Sequence, residues 1–242
     1  AIGLVIERKG HYRLTRKGAV LIGLPGVTAL IEHHKILYQD LLNPVGFFKG
    51  VEETQLSKFW PYVFGGGMDL KSSEVEKYSD LMSESQHLVA ADTLAAVNIP
   101  SVCRFLDVGG GKGTFVSELK KIYPKVDAAV FDLPGSHSET SGHRCIIGSF
   151  KEDELPAGYD IISLVRILYD HRDETIRDLL GKAYSALDKG GRLIVSEPML
   201  GADRPTLWGD VYFAMYTLAM STGKTRSPDQ VSVFIKLSLI HI

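Results

Sequence analysis

Two stretches of this chain carry residues whose types and spacing can do chemistry. The first is DVGGGKG over positions 107–113, with a lone acid, Asp132, following about twenty residues later. The second is YDHRDE, Tyr169 to Glu174, the densest run of ionisable side chains in the sequence. Glycines at 109, 111 and 113 let a ligand lie against the backbone without side-chain obstruction. They do not fit a dinucleotide turn, which needs glycine where this chain has Thr114. Nor do they fit a phosphate-cradling Walker loop. Leu106 stands where its first glycine belongs, and Gly113 where its serine or threonine belongs. Alternating glycines followed by a strand-end acid suit S-adenosylmethionine (SAM). SAM has no phosphate to cradle, and a single carboxylate can accept hydrogen bonds from both ribose hydroxyls. Gly109, Gly110, Gly111 and Asp132 are therefore the predicted cofactor residues.

The elements around them must form a strand–turn–helix–strand unit. Phe105 to Val108 is a short apolar run. Thr114 to Tyr123 has helical spacing, with Phe115, Val116, Leu119 and Ile122 on one face, and Val126 to Phe131 is a second apolar run. This is half of a doubly wound α/β sheet, in which ligands bind at the carboxyl ends of the strands. A third strand over Gly142 to Ile147 leads into Ser149 and Phe150, placed to meet an adenine. Asp160 to Leu168 (DIISLVRIL) reads as a strand buried on both faces. The ionisable cluster Tyr169, Asp170 and His171 follows at its carboxyl end, where catalytic groups belong. Glu174 to Leu187 is an amphipathic helix capped by Asp173, and Arg192 to Ser196 a fifth strand ending at Glu197. WGDVYFAMYTLAM, Trp208 to Met220, is apolar almost all round and is predicted to be buried, as core or as the wall of a lipophilic pocket.

Upstream, Leu4 to Arg8 and Tyr12 to Leu14 suggest a hairpin around Lys9-Gly10, with Thr15 capping a helix from Arg16. This resembles the wing of a winged-helix domain, used as a dimer platform rather than for DNA, since no basic recognition helix is present. Thr28 to Leu42 is a helix stopped at Asn43-Pro44. Its His33 and His34 are neighbours in sequence and cannot clamp one metal ion from a helix, so they are surface or packing residues. Glu52 to Phe64 is helical and is ended by three glycines. A polar connection over 68–74 precedes a long helix, Glu74 to Val97, whose Met82 and Gln86 can line a pocket. The reading divides the chain into a partial winged-helix and helical dimerisation region, 1–97, and a cofactor-binding domain, 98–242.

Composition narrows the function class. The chain has 242 residues, 45% of them hydrophobic, enough for a large core, and a net charge of −2 that argues against nonspecific nucleic-acid binding. The two cysteines, Cys103 and Cys145, are far apart and read as buried small hydrophobes in a reduced, cytoplasmic setting. No metal set, membrane span or signal peptide is visible.

The segments LDVGGGKG, FDLP, GSF, LVRILYDHRDE, DKGGRLIVSEPM and DVYFAMYTLAMSTGKTRS resemble the SAM-dependent O-methyltransferases of the caffeate and acetylserotonin type. Within that family the likeness is greatest to the bacterial carotenoid branch, with bacteriochlorophyllide methyltransferases close by. The resemblance implies a Rossmann-like class I methyltransferase sheet, a homodimer in the full-length parent, and transfer of a methyl group from SAM to a hydroxyl. The acceptor implied is lipophilic, a 1-hydroxycarotenoid first, reached through a peripheral membrane contact. Gly109 to Gly111 and Asp132 match the family's cofactor residues. Ser149 stands where an acid is usual near the adenine, Phe150 matches the next residue, and Arg166 falls on the cofactor side. Tyr169 takes the place of the family's catalytic histidine and His171 that of its tryptophan. A tertiary alcohol is a weak acid, so its proton leaves as the new bond forms. Tyr169 is expected to position the hydroxyl, and His171 or Asp170 to take the proton. The ends do not match the family's continuation. The chain reads as a piece, its sheet C-terminally incomplete with an apolar edge exposed, and is expected to be poorly stable or inactive on its own.

Overall fold

The computed structural model describes residues 3–59, 72–134, 136, 143–201 and 203–240, and the side chains of all of these except 25, 59, 72–81, 239 and 240. The three-glycine stop at Gly65 to Gly67 and the connection over 68–71 lie outside the described residues. The predicted hairpin is present: β1 (Val5–Arg8) pairs antiparallel with β2 (His11–Leu14). Thr15 caps α1 (Arg16–Gly23), its side chain accepting from the Gly18 amide. α2 (Pro25–Asp40) follows. Asn43-Pro44, expected as a stop, also starts the next helix. The Asn43 side chain accepts from the Gly46 amide and proline occupies the first turn of α3 (Pro44–Lys49), where its missing N–H costs nothing. Gly50, at φ 62°, closes it. α4 (Gln55–Phe59) and the long α5 (Ser72–Ala96) complete the helical layer, and α5 packs on both α2 and the domain that follows.

That domain is a parallel sheet. β3 (Arg104–Val108), β4 (Asp127–Asp132), β5 (Arg144–Ile147), β6 (Tyr159–Val165) and β7 (Leu187–Ser196) lie in the order β5-β4-β3-β6-β7, all parallel. Between β3 and β6 the order reverses, and that switch point opens a crevice at the carboxyl ends. α6 (Thr114–Ile122) covers one face with Phe115, Val116 and Leu119 fully buried. Each such side chain contributes on the order of 1.5–3 kcal/mol. Ile122, expected on the same stripe, is 56% exposed because the helix ends there and the chain turns away at Tyr123. α7 (Asp173–Ala186) covers the opposite face through Ile176, Leu179, Leu180 and Ala183. α9 (Pro228–Ile240) packs against α7 and buries Val231. Ser227 and Gln230 begin it with a reciprocal capping box.

Three further expectations change. β6 stops at Val165 rather than Leu168, because Arg166 adopts φ 61° and turns the chain into a 3₁₀ turn, Leu168–Asp170. Asp173 does not cap α7. Arg172 holds the cap position without a side-chain bond, and Asp173 pairs with Arg226. The segment from Trp208 is not buried all round. A π-helix, Leu207–Phe213, runs into α8 (Ala214–Met220), and Trp208, Val211 and Leu218 are exposed while Tyr216, Ala219 and Met220 are buried.

Candidate active site

The glycine turn leaves β3 at Val108 and enters α6 at Thr114. Gly109, Gly111 and Gly113 have φ of 69°, 54° and 77°, the left-handed region where a side chain is strained. A Cβ on Gly109 would strike the Ile167 side chain, and one on Gly110 would strike the Asp107 carboxylate. At Gly111 nothing lies within 4 Å of such a Cβ, so the turn faces open space there. Asp132, at the end of the adjacent strand, accepts from the Gly111 amide at 2.6 Å through Oδ2 and from the Leu133 amide at 2.6 Å through Oδ1. Turn and acid are thus joined, on the same edge of the crevice. A carboxylate has about four lone-pair sites, the kind of acceptor that the two hydroxyls of a ribose diol require.

Two features suit a ligand at this turn. Asp107 is 1% exposed, and burial pushes its carboxyl up to about 7 despite a 2.6 Å hydrogen bond from Ser163. Its Oδ2 has no partner among the described residues. Gly148 follows β5 and packs on the Phe131 ring, which brings Ser149 and Phe150 beside the Asp132 strand end. Of the predicted cofactor residues, Gly109, Gly110, Gly111, Asp132, Ser149 and Phe150 therefore lie along one edge, while Arg166 lies across the switch point beside β7 and α5.

On the other side of the switch point stand Arg166 and the 3₁₀ turn. Arg166 is a non-glycine residue held at positive φ, its amide donating to the Ser196 carbonyl at 2.8 Å. Strain of this kind persists only where surrounding bonds determine it. Its guanidinium donates to Ser85 Oγ at 2.8 Å, Gln86 Oε1 at 3.3 Å and Met82 Sδ at 3.2 Å, so the two α5 residues expected at a pocket meet there. Tyr169 and Asp170 are buried beside it. Burial, with Asp170 nearby, pushes the Tyr169 phenol up. Burial also raises Asp170 well above the usual carboxylate range, opposed by the Arg166 charge, and its Oδ1 has no partner among the described residues. His171 is brought to a different place. Its ring packs edge-on against Phe150 at 5.2 Å, on the cofactor edge, and burial lowers it to about 4. Tyr169 instead meets Phe213 edge-on at 6.4 Å.

Sequence reasoning missed three contributors here. Glu197, at the end of β7, accepts from the Tyr169 amide at 3.2 Å, and burial raises its carboxyl to about 7. Its position at a strand end, as the fourth residue of the IVSEP run, is the available signal. His33 and His34 are packing residues as expected, but polar ones. His33 Nε2 pairs with the Tyr216 hydroxyl at 2.8 Å, and His34 Nδ1 with the Tyr212 hydroxyl. Burial, aided by the Arg166 charge, lowers both to about 4, which keeps the imidazoles neutral. The third is Arg226. Among the described residues no cluster of His, Cys, Asp and Glu could hold a metal ion.

The likeness to known proteins follows the same lines. A model of the O-methyltransferase domain matches residues 38–237. Demethylspheroidene O-methyltransferase of Rhodobacter capsulatus is 45% identical over 240 residues, 98% of this chain and 61% of that protein. The enzyme of the same name from Cereibacter sphaeroides is 44% identical, over 95% of this chain and 63% of its own length. The chain thus spans about three fifths of the length of these relatives. Among solved structures, human N-acetylserotonin methyltransferase in complex with SAM superposes with TM-score 0.68 at 22% identity, covering 98% of this chain and 73% of that one. CalO1, a methyltransferase of calicheamicin biosynthesis in its SAH-bound form, gives TM-score 0.74 at 21% identity over 97% and 73%. The glycine turn, the strand order and these matches agree: the chain belongs to the O-methyltransferase domain family.

Proposed function

We propose that this chain forms the SAM-binding and reacting part of an O-methyltransferase whose acceptor is a hydrophobic isoprenoid alcohol, of the 1-hydroxycarotenoid class. The observation that carries the reading is the pairing of the Gly109–Gly111 turn with Asp132 on one side of the switch point, opposite Arg166, Tyr169 and Glu197 on the other. The names of the two bacterial relatives support the acceptor class, and so does the aromatic wall of Tyr212, Phe213 and Tyr216.

Bound SAM supplies an electrophilic methyl group. Gly109, Gly110 and Gly111 admit its methionyl end to the backbone, Asp132 accepts from its ribose, and Ser149, Phe150 and His171 surround its base. Arg166, its guanidinium held by Ser85, Gln86 and Met82, offers a cation to the carboxylate end. On the acceptor side, alignment is the main contribution, since an in-line displacement gains most from fixed geometry. Tyr169, held as the phenol, donates to the acceptor oxygen and orients it. The proton of the hydroxyl passes to Glu197, whose charge also raises the nearby Asp170. Glu197, near 7, has the basicity suited to accepting a proton as the bond forms. His171, turned to Phe150 and depressed to about 4, serves the cofactor edge instead. A homodimer built on the N-terminal hairpin and helices, and a peripheral membrane contact that delivers the acceptor, complete the reading. Among the described residues no single helix is long and apolar enough to cross a membrane.

The test is incubation with methyl-labelled SAM and a 1-hydroxycarotenoid. Label in a 1-methoxy product is expected. Binding of SAM with no label transferred to this or other hydroxylated isoprenoids would show a SAM-fold protein of another role.

A further inference from the structure

Among the described residues the largest fully buried side chain belongs to a cation, Arg226, 2% exposed. All five of its N–H groups have partners. Nε donates to Asp173 Oδ1 at 3.1 Å, and Nη2 to the same oxygen at 2.5 Å and to the His171 carbonyl at 2.9 Å. Nη1 donates to the carbonyls of Leu168 at 3.1 Å and Lys224 at 2.8 Å. Leu168 and His171 are the residues on either side of Tyr169-Asp170, so one guanidinium brackets the turn that carries both. The backbone beside it does the same work. The Lys224 amide donates to the Tyr169 carbonyl at 2.8 Å, and Gly223 lies so close to that carbonyl that a Cβ there would strike it. In the other direction, Thr225 Oγ1 lies 3.2 Å from Thr217 Oγ1 in α8, the helix that follows the aromatic wall. Residues 223–226 therefore tie the wall to the turn. The glycine turn has separate anchors, in the Gly109 amide bond to Phe131 at 2.8 Å and the Gly111 amide bond to Asp132.

A buried guanidinium is costly unless every donor is met. Here the donors are met by carbonyls whose placement sets the reacting turn. We propose that Arg226 is a positioning residue: it holds Tyr169 and Asp170 in fixed register with the acceptor wall, so that an acceptor seated along Tyr212 to Tyr216 meets the turn aligned for transfer. The inference rests on the reading that this turn handles the acceptor hydroxyl.

Removing the side chain outright risks the fold, so the test uses Arg226→Lys and Gly223→Ala. Lysine keeps the charge beside Asp173 but cannot bracket both carbonyls. Alanine at 223 displaces the Tyr169 carbonyl and leaves Arg226 intact. Each variant is expected to lower kcat about tenfold or more while the calorimetric Kd for SAM stays within about threefold. Hydrogen exchange gives a second readout, independent of turnover: the amides of 168–171 should exchange about tenfold faster, with 109–111 unchanged. Wild-type kcat in both variants overturns the proposal. So does a kcat loss matched by equal losses of SAM affinity and of protection at 109–111, which marks a merely structural tie. If wild type transfers no methyl group, the functional reading fails, and the exchange pattern alone still decides whether Arg226 governs the turn.

Discussion

The two sides of the crevice are built on different principles. The cofactor edge is made of backbone: three glycines at positive φ, one strand-end acid, and amides that join them within 26 positions of sequence, 107 to 132. The opposite edge is made of side chains gathered from afar. Arg166 reaches Ser85, 81 positions away, and His33 reaches Tyr216 across 183. A backbone site tolerates few substitutions because glycine geometry has no substitute. A side-chain site can be altered one contact at a time while the fold stays intact.

The sharpest way to break this comparison is at the turn. Gly109→Val places a branched side chain at φ 69° against Ile167, and SAM affinity should fall at least about 100-fold with a stability loss of about 1–3 kcal/mol. Calorimetry and thermal melts read both. Next in size is Glu197→Gln. Its carboxyl titrates near 7, so if it accepts the proton, kcat in wild type should rise with pH through that value and level off above it. The glutamine variant should lose about 10²-fold and show no such inflection, with SAM binding unchanged. Tyr169→Phe removes a hydrogen bond to the acceptor and should cost kcat about tenfold, again sparing SAM.

A smaller effect separates the two sides by stability. Asp107 is held at about 7, above the ordinary carboxyl value of 3.8. Between those values the folded chain keeps a proton that the unfolded chain has released, so stability falls as pH rises from about 4 to 7 and is level above. Asp107→Asn should make that fall shallower in a series of melts, leaving the share that Glu197 and Asp170 contribute through their own raised carboxyls. His33→Ala, on the other side, should cost about 1 kcal/mol above about pH 6.5 through the lost hydrogen bond to Tyr216, and less below it, where the unfolded wild type takes up a proton that the folded imidazole refuses until about 4. Equal pH dependence in both variants would erase the distinction.

The same contrast explains what could be read from sequence. The strand–turn–helix–strand unit, the Asp132 pairing and the N-terminal hairpin were legible because each is set by neighbours in the chain: glycine, periodicity, a capping threonine. The place of His171 was not. Spacing put it beside Tyr169, but the 3₁₀ turn after Arg166 sends the two rings to opposite edges. Arg226 reads in sequence as an ordinary cation in a polar turn, and only three-dimensional packing shows that it is buried. Trp208 and Val211 are expected inside because apolar residues run almost all round that segment. A π-helix changes which face the side chains present, and it leaves them outside.

The central claim is that the turn at Gly109–Gly111, with Asp132, is where SAM binds. It is tested most directly by titrating SAM into the wild-type protein and into Asp132→Ala in a calorimeter. One-to-one binding by the wild type, weakened about 10- to 100-fold in the variant, is the predicted result, the size expected for losing charge-assisted hydrogen bonds. Equal affinity in the two proteins, or no heat of binding to the wild type, would contradict it.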